Sequence, residues 1–142
     1  MTAGTAGRRP EYRMLPTPTE WSKPFWTGGR AGQLLIHRCG RCRRFFHPPA
    51  PVCFRCRSTD VAPAPVSGRA TVATFTIDRH QWFEGFPPPY VIAIVELDED
   101  PSVRLTTNIV DCDTDDVYIG QRVVVTFEDW DEVWVPVFRP VA

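Results

Sequence analysis

The chain has 142 residues, 43% of them hydrophobic and 12% aromatic, enough for one domain or two small ones with a real core. No stretch of eighteen apolar residues is present, which excludes a membrane-spanning helix, and fifteen prolines argue against long helices. The net charge of −1 conceals a split: +9 through Arg69 and −10 from Ala70 onward. A basic front half suits nucleic acid, a phosphorylated cofactor or an acidic partner, and it suits equally an attraction between the two halves inside the fold. Fifteen of the sixteen basic residues are Arg, whose planar fork fits phosphate.

In chain order, residues 1–18 are Gly, Thr, Ala and Pro with a few Arg, the composition of a disordered arm. The first 30 residues hold no apolar run suited to a signal peptide, so the expectation is a cytoplasmic protein. A short helix is expected from about Lys23, with Ser22 as its cap, Pro24 in its first turn, and Gly28 and Gly29 weakening it. Trp21, Phe25 and Trp26 lie at spacings that share one helical face. That face packs a core or forms a platform for a ligand or partner.

Residues 34–36 lead as a strand into Cys39-Gly40-Arg41-Cys42, and residues 45–47 return from it toward Cys53-Phe54-Arg55-Cys56. A gap of two residues lets both thiolates of a pair turn toward one point. Two such pairs supply the four soft ligands of a closed tetrahedral zinc site. An iron site of rubredoxin type uses the same ligands. Two disulfides need an oxidising compartment, to which nothing here directs the chain. Four thiols leave no ligand role for His37 or His47, which read as packing or solvent-facing groups. A ribbon this small needs its metal for stability.

After Ser58 the grammar turns to strands. They are expected at 70–77, 90–97, 103–110, 122–127 and 133–138, with a helical turn between the third and fourth, capped by Asp113 and stopped by Gly120. That order suggests a five-stranded OB-type barrel. The chain is thus read as mainly β: an arm at 1–18, a helix plus zinc ribbon at 19–66, and an OB-fold domain at 67–142. The loop at 78–89 joins the first two barrel strands. It sets Trp82, Phe83 and Phe86 among prolines, as expected of a binding loop stiffened in advance.

Catalytic signatures are missing. There is no Gly-rich phosphate loop, no Gly-x-Ser-x-Gly and no His-Glu-x-x-His. His80 with Glu84 makes at best a weak base pair. Cys112 is flanked by Asp111 and Asp113, which raise a thiol pKa rather than activate it, so it reads as structural.

Taken together, Pro24-Phe25-Trp26, the four-cysteine ribbon, Val66-Ser67-Gly68-Arg69 at the start of a five-stranded barrel, and Asp116-Val-Tyr-Ile-Gly120 before its fourth strand carry a resemblance. From about Trp21 to Pro140 the chain resembles the acyl-CoA-associated zinc-ribbon/OB-fold family labelled domain of unknown function thirty-five. The resemblance implies that Cys39, Cys42, Cys53 and Cys56 hold a structural zinc. It also implies an accessory subunit without catalysis of its own, bound to a thiolase-like partner of lipid-transfer-protein type, with a MaoC-like hydratase as a further partner. The complex would bind acyl-CoA and cleave or form a carbon–carbon bond, as in steroid side-chain retro-aldol cleavage. Trp21, Phe25 and Trp26, with the loop residues Trp82, Phe83 and Phe86, are the expected ligand or partner contacts. No residue is expected to be catalytic, and no membrane contact is expected. The alternative is a nucleic-acid-binding module, since ribbons and OB barrels both serve that role, but the barrel carries the negative half of the charge.

Overall fold

The computed structural model describes residues 15–141. Residues 1–14 of the expected arm lie outside them.

The ribbon is a three-stranded antiparallel sheet of β1 (Leu34–Cys39), β2 (Phe45–Phe46) and β3 (Val61–Val66), in the order β2-β1-β3. β1 is the central strand and buries Leu34, Ile36, His37 and Cys39. β3 was not expected from the sequence. It reads Val-Ala-Pro-Ala-Pro-Val and pairs in register with all of β1, from Leu34 opposite Val66 to Cys39 opposite Val61. Proline weakens the signal of a strand because it cannot donate to a ladder. Pro63 and Pro65 are two apart, however, so their missing amides share one edge. An edge strand tolerates that and is protected by it from further pairing.

The helix, α1, runs Lys23–Thr27 with Pro24 in its first turn. Ser22 does not cap it. Its hydroxyl instead accepts from the Thr19 amide (2.8 Å), while Thr19 Oγ1 accepts from the Ser22 amide (3.1 Å). Trp21 lies in the turn ahead of α1, which the Lys23 amide closes by donating to Thr19 O at 2.9 Å. Phe25 is buried and Trp26 half-buried. At Gly28 the chain tightens into a 3-10 turn, Gly28–Ala31. The reason is close approach as much as helix propensity. A Cβ at Gly29 would lie 2.5 Å from Phe127 Cδ1 and 2.7 Å from Trp134 Cβ. Only a bare backbone can lie this close to the barrel wall.

The barrel comprises β4 (Arg69–Asp78), β5 (Tyr90–Leu97), β6 (Arg104–Ile109), β7 (Arg122–Trp130) and β8 (Val133–Pro140). It closes in the order β4-β5-β6-β8-β7, with β7 returning to β4. The pairing of β6 with β8 is parallel and the rest are antiparallel, which is the OB arrangement expected. Between β6 and β7 a 3-10 turn, Thr114–Asp116, is capped as expected: Asp113 Oδ1 accepts from the Asp115 amide at 3.0 Å. Gly120, at φ +90°, donates its amide to Val72 O at 2.8 Å and returns the chain to the barrel. One apolar cluster runs through the molecule, from Phe25, Leu34 and Ile36 ahead of the barrel to Val72, Val95, Leu105 and Phe138 within it. The helix and the root of β1 therefore share the barrel's core. Among the described residues no helix is long and apolar enough to cross a membrane.

Gly29→Ala pushes a methyl into Phe127 and Trp134. It is expected to cost about 1–3 kcal/mol, read as a lower Tm in thermal denaturation. An unchanged Tm would mean that the 3-10 turn after α1 is not held against β7 and β8 at this point.

Candidate metal centre and flanking aromatic surfaces

The two cysteine pairs are built alike. The Cys39 amide donates to Arg44 O and the Cys53 amide to Ser58 O, each at 2.9 Å and each across five residues. The residue after each pair, Arg43 and Arg57, is left-handed at φ +65° and +60°. Each pair is thus a tight knuckle whose backbone amides turn inward. Cys39 and Cys53 are buried, with Phe46 packed against them. Cys39 Sγ lies 3.5 Å from Cys56 Sγ, and Cys42 Sγ 3.7 Å from Cys53 Sγ. All four ligand atoms fall within 4.8 Å of one another.

These separations exclude disulfides, whose sulfurs are about 2 Å apart. They fit a metal: four sulfurs around a tetrahedral zinc stand roughly 3.8 Å apart. The charges fit as well. The Cys42 and Arg41 amides pull the Cys39 thiol down to about 6, and the Cys56 and Arg55 amides lower Cys53. The Arg44 amide lowers the Cys42 thiol too, but burial and the neighbouring sulfurs outweigh it and push that thiol up to about 11. Four thiolates cannot share so small a space without a cation to neutralise them. Zinc held by Cys39, Cys42, Cys53 and Cys56 would supply folding energy to the ribbon. His37 is buried with its ring 5.8 Å from that of Phe46, and it stands outside the ligand group as expected.

On one flank, Phe25 packs edge-on against Trp26 (ring centroids 4.9 Å apart) and tilted against His47 (4.8 Å). Phe25, Trp26, His47 and Pro48 form one side of a cleft of about 340 Å³ whose other side is β6 and β8. His47 Nδ1 is buried, with no hydrogen-bond partner among the described residues. Sequence reasoning gave His47 no role. Strand alternation held the signal: Phe46 faces the ribbon core, so Phe45 and His47 must face the other way, toward Phe25.

On the other flank, Asp78 organises the long loop. Its Oδ2 accepts from Tyr90 Oη (2.6 Å) and Trp82 Nε1 (2.8 Å), and its Oδ1 from the His80 amide (2.9 Å). These bonds, Tyr90 foremost, hold the Asp78 carboxyl below its usual range. Trp82 and Phe83 stand 63% and 56% exposed, while Phe86 is half-buried against Tyr90. His80 packs edge-on against Trp82 at 4.4 Å. The depression beside the loop is lined by Asp78, His80, Trp82 and Ile92 among others and shares no residue with the cleft. The two expected aromatic groups are therefore separate surfaces, and Trp21 (39% exposed) lines neither. The Cys112 thiol is half-buried and raised, by burial first and then by Asp116, Asp113 and Asp111.

The ion pairs are Arg79–Asp115, Arg104–Glu96 and Arg122–Asp98, all within the barrel. Among the described residues none joins the basic front half to the acidic barrel. Within the ribbon, Arg38 and Arg55 lie over the rings of Phe45 and Phe54, 4.9 and 5.6 Å from the centroids.

Cys39→Ser and Cys53→Ser are each expected to lose the metal and unfold the ribbon. Elemental analysis checks this, and full metal content in both variants would show that the ligands are misassigned.

Residues 26–62 match the family model described as "ChsH2, rubredoxin-like zinc ribbon domain", and residues 64–128 match "ChsH2, C-terminal OB-fold domain". A "DUF35 domain-containing scaffold protein" of Methanocaldococcus jannaschii is 38% identical over 106 residues, covering 70% of this chain and 73% of that protein. The "3-oxo-4,17-pregnadiene-20-carboxyl-CoA hydratase alpha subunit" of Mycobacterium tuberculosis is 34% identical over 133 residues, 89% of this chain and 41% of that protein. The chain spans only 36% to 41% of the hydratase-subunit relatives it matches. Among solved structures, a chain of the "Ltp2-ChsH2(DUF35) aldolase" superposes with a TM-score of 0.79 at 35% identity, covering 90% of this chain and all of that one. With the ribbon, the barrel and this likeness in place, the chain belongs to the ChsH2 (DUF35) family of zinc-ribbon and OB-fold proteins.

Proposed function

We propose that the chain is an accessory subunit that docks on a thiolase-like partner and helps it hold an acyl-CoA. The carbon–carbon bond is cleaved or formed in the partner. Steroid side-chain retro-aldol cleavage is the specific reaction proposed, and a MaoC-like hydratase the further partner. The observation that carries this reading is the likeness, over the whole of the neighbour's length, to a DUF35 chain of an aldolase. The hydratase alpha-subunit relatives support the second partner.

The internal chemistry supports placing the reaction in the partner. Four thiols are grouped closely enough to serve as the ligands of one metal. The fifth, Cys112, is pushed away from the thiolate that a nucleophile needs. His80 is packed on Trp82, and no hydrogen bond joins it to Glu84 among the described residues. The exposed Trp82 and Phe83 have the character of interface anchors, and the bond from Trp82 Nε1 to Asp78 holds the first of them in place beforehand.

Co-expression with a neighbouring thiolase-like gene is expected to give one complex, with a mass equal to a sum of both chains. A monomer isolated beside the co-expressed candidate would contradict the reading. Binding of single-stranded oligonucleotide with a steep salt slope would favour a nucleic-acid module instead. Within the complex, replacing Trp82 and Phe83 by Ala is expected to weaken association by about 2 kcal/mol or more, roughly thirtyfold in Kd. An unchanged Kd would place the loop outside the interface.

A further inference from the structure

We propose that the two cysteine knuckles form a docking surface for a second copy of this chain, and that they land on that copy's acidic turn between β7 and β8. The contact uses neither the cleft nor the Trp82 loop, so it stands apart from the docking of a thiolase-like partner.

The knuckle tip has the composition of an interface centre. Phe54 is 68% exposed, the most exposed of the large apolar side chains among the described residues, and Val52 is exposed close by in the sequence. Arg41, Arg43, Arg44, Arg55 and Arg57 are exposed on the same two knuckles. None of them takes part in an ion pair among the described residues. From Cys39 to Asp60 the only carboxylate is that of Asp60. Five guanidinium groups outweigh it together with the charge of a zinc held by four thiolates, so the tip is positive. Aromatic and Arg side chains are the residue types that interfaces concentrate. Phe54 is also braced from behind. Its ring stands edge-on to Phe46, which packs on the buried cysteines, with centroids 6.4 Å apart.

The complement lies on the same chain. The turn Glu128-Asp129-Trp130-Asp131-Glu132 carries four carboxylates, and none belongs to an ion pair among the described residues. Beside it is a depression of about 500 Å³, lined by Asp129, Asp131, Glu132, Trp134, Thr27 and Arg30. Three carboxylates there outnumber one cation, and Trp134 supplies an aromatic wall. Phe54 can pack on that wall while the planar forks of Arg41 and Arg55 meet the carboxylates.

The two surfaces stand apart within one copy. β1 roots Leu34 and Ile36 in the barrel's core and ends at Cys39 in a separate apolar cluster. A strand of that length carries the knuckles about 17 Å out. A projection and a depression that complement each other on one chain join unlike faces of two copies, and two such contacts close a pair. A single-stranded nucleic acid is the lesser fit. It needs several aromatic platforms along a groove, and the tip offers one exposed ring.

The test is sedimentation equilibrium of the zinc-loaded full chain after nuclease treatment, at about 0.05 M and about 0.5 M salt. The expected result is a mass above that of one chain at low salt, returning to one chain at high salt. Phe54→Ala is expected to weaken association about tenfold. Arg41→Glu with Arg55→Glu reverses the tip, and Glu128→Arg with Glu132→Arg reverses the turn. Each double variant alone is expected to be a monomer, and mixing the two is expected to restore association, because reversed tip then meets reversed turn. Elemental analysis checks that both keep their metal. If the reversed tip loses it, the reversed turn decides alone: a monomer supports the contact and undiminished association overturns it. A wild-type monomer at low salt, association indifferent to both reversals, or a mixture that stays monomeric overturns the proposal. Association that disappears with nuclease treatment overturns it too, and makes nucleic acid the occupant.

Discussion

The convergence of four sulfurs within 4.8 Å of one another is the constraint on which the placement of everything ahead of the barrel depends. The ribbon has little else to hold it. Its own core is Cys39, Phe46 and Cys53, with Ala50, Cys56 and Val61 partly buried around them. So small an apolar cluster does not offset the entropy of ordering two knuckles and three strands, and the metal must supply the difference. β1 transmits that order. Its first residues, Leu34 and Ile36, sit in the barrel's core, and its last, Cys39, is one of the four clustered cysteines. A six-residue strand therefore ties the metal to the barrel.

The functional surfaces hang on this frame. The 3-10 turn that follows α1 lies close against β7 and β8 because Gly29 lets it. α1 brings Phe25 against His47, which the ribbon delivers from the end of β2, so the cleft needs helix, ribbon and barrel at once. The Trp82 loop needs only the barrel: Asp78 ends β4, Tyr90 begins β5, and the bond between them closes the loop's base. Loss of the metal would thus dismantle the cleft and spare the loop. Among the described residues the Arg side chains of the ribbon form no ion pair with the acidic barrel, so no salt bridge there joins the two halves of the charge split.

What the sequence disclosed follows from which signals are local. The cysteine spacing is local, and the knuckles appear where it places them. The barrel strands alternate or run apolar, and each was found to within a few residues. Asp113 is a cap because an Asx turn needs only its own neighbours. The misses involve groups that act across the fold. Ser22 has a cap's identity but turns back to Thr19. Gly28 and Gly29 looked like helix breakers, whereas Gly29 is a contact point with a wall more than ninety residues away in sequence. β3 was hidden by Pro63 and Pro65, which count against a strand unless it is known to be an edge. His47 looked idle beside four better ligands, and its burial against Phe25 depends on how the helix docks.

The central claim is that the metal is structural and that its work is to set helix and ribbon against the barrel as a docking frame. The most direct measurement is the affinity of the thiolase-like partner for the metal-loaded and metal-stripped chain, with amide hydrogen exchange followed in both. The account predicts that stripping the metal exposes the ribbon amides, leaves the amides of β4 to β8 protected, and sharply weakens the partner's binding. Partner binding that survives stripping undiminished, with the ribbon amides still protected, would contradict it.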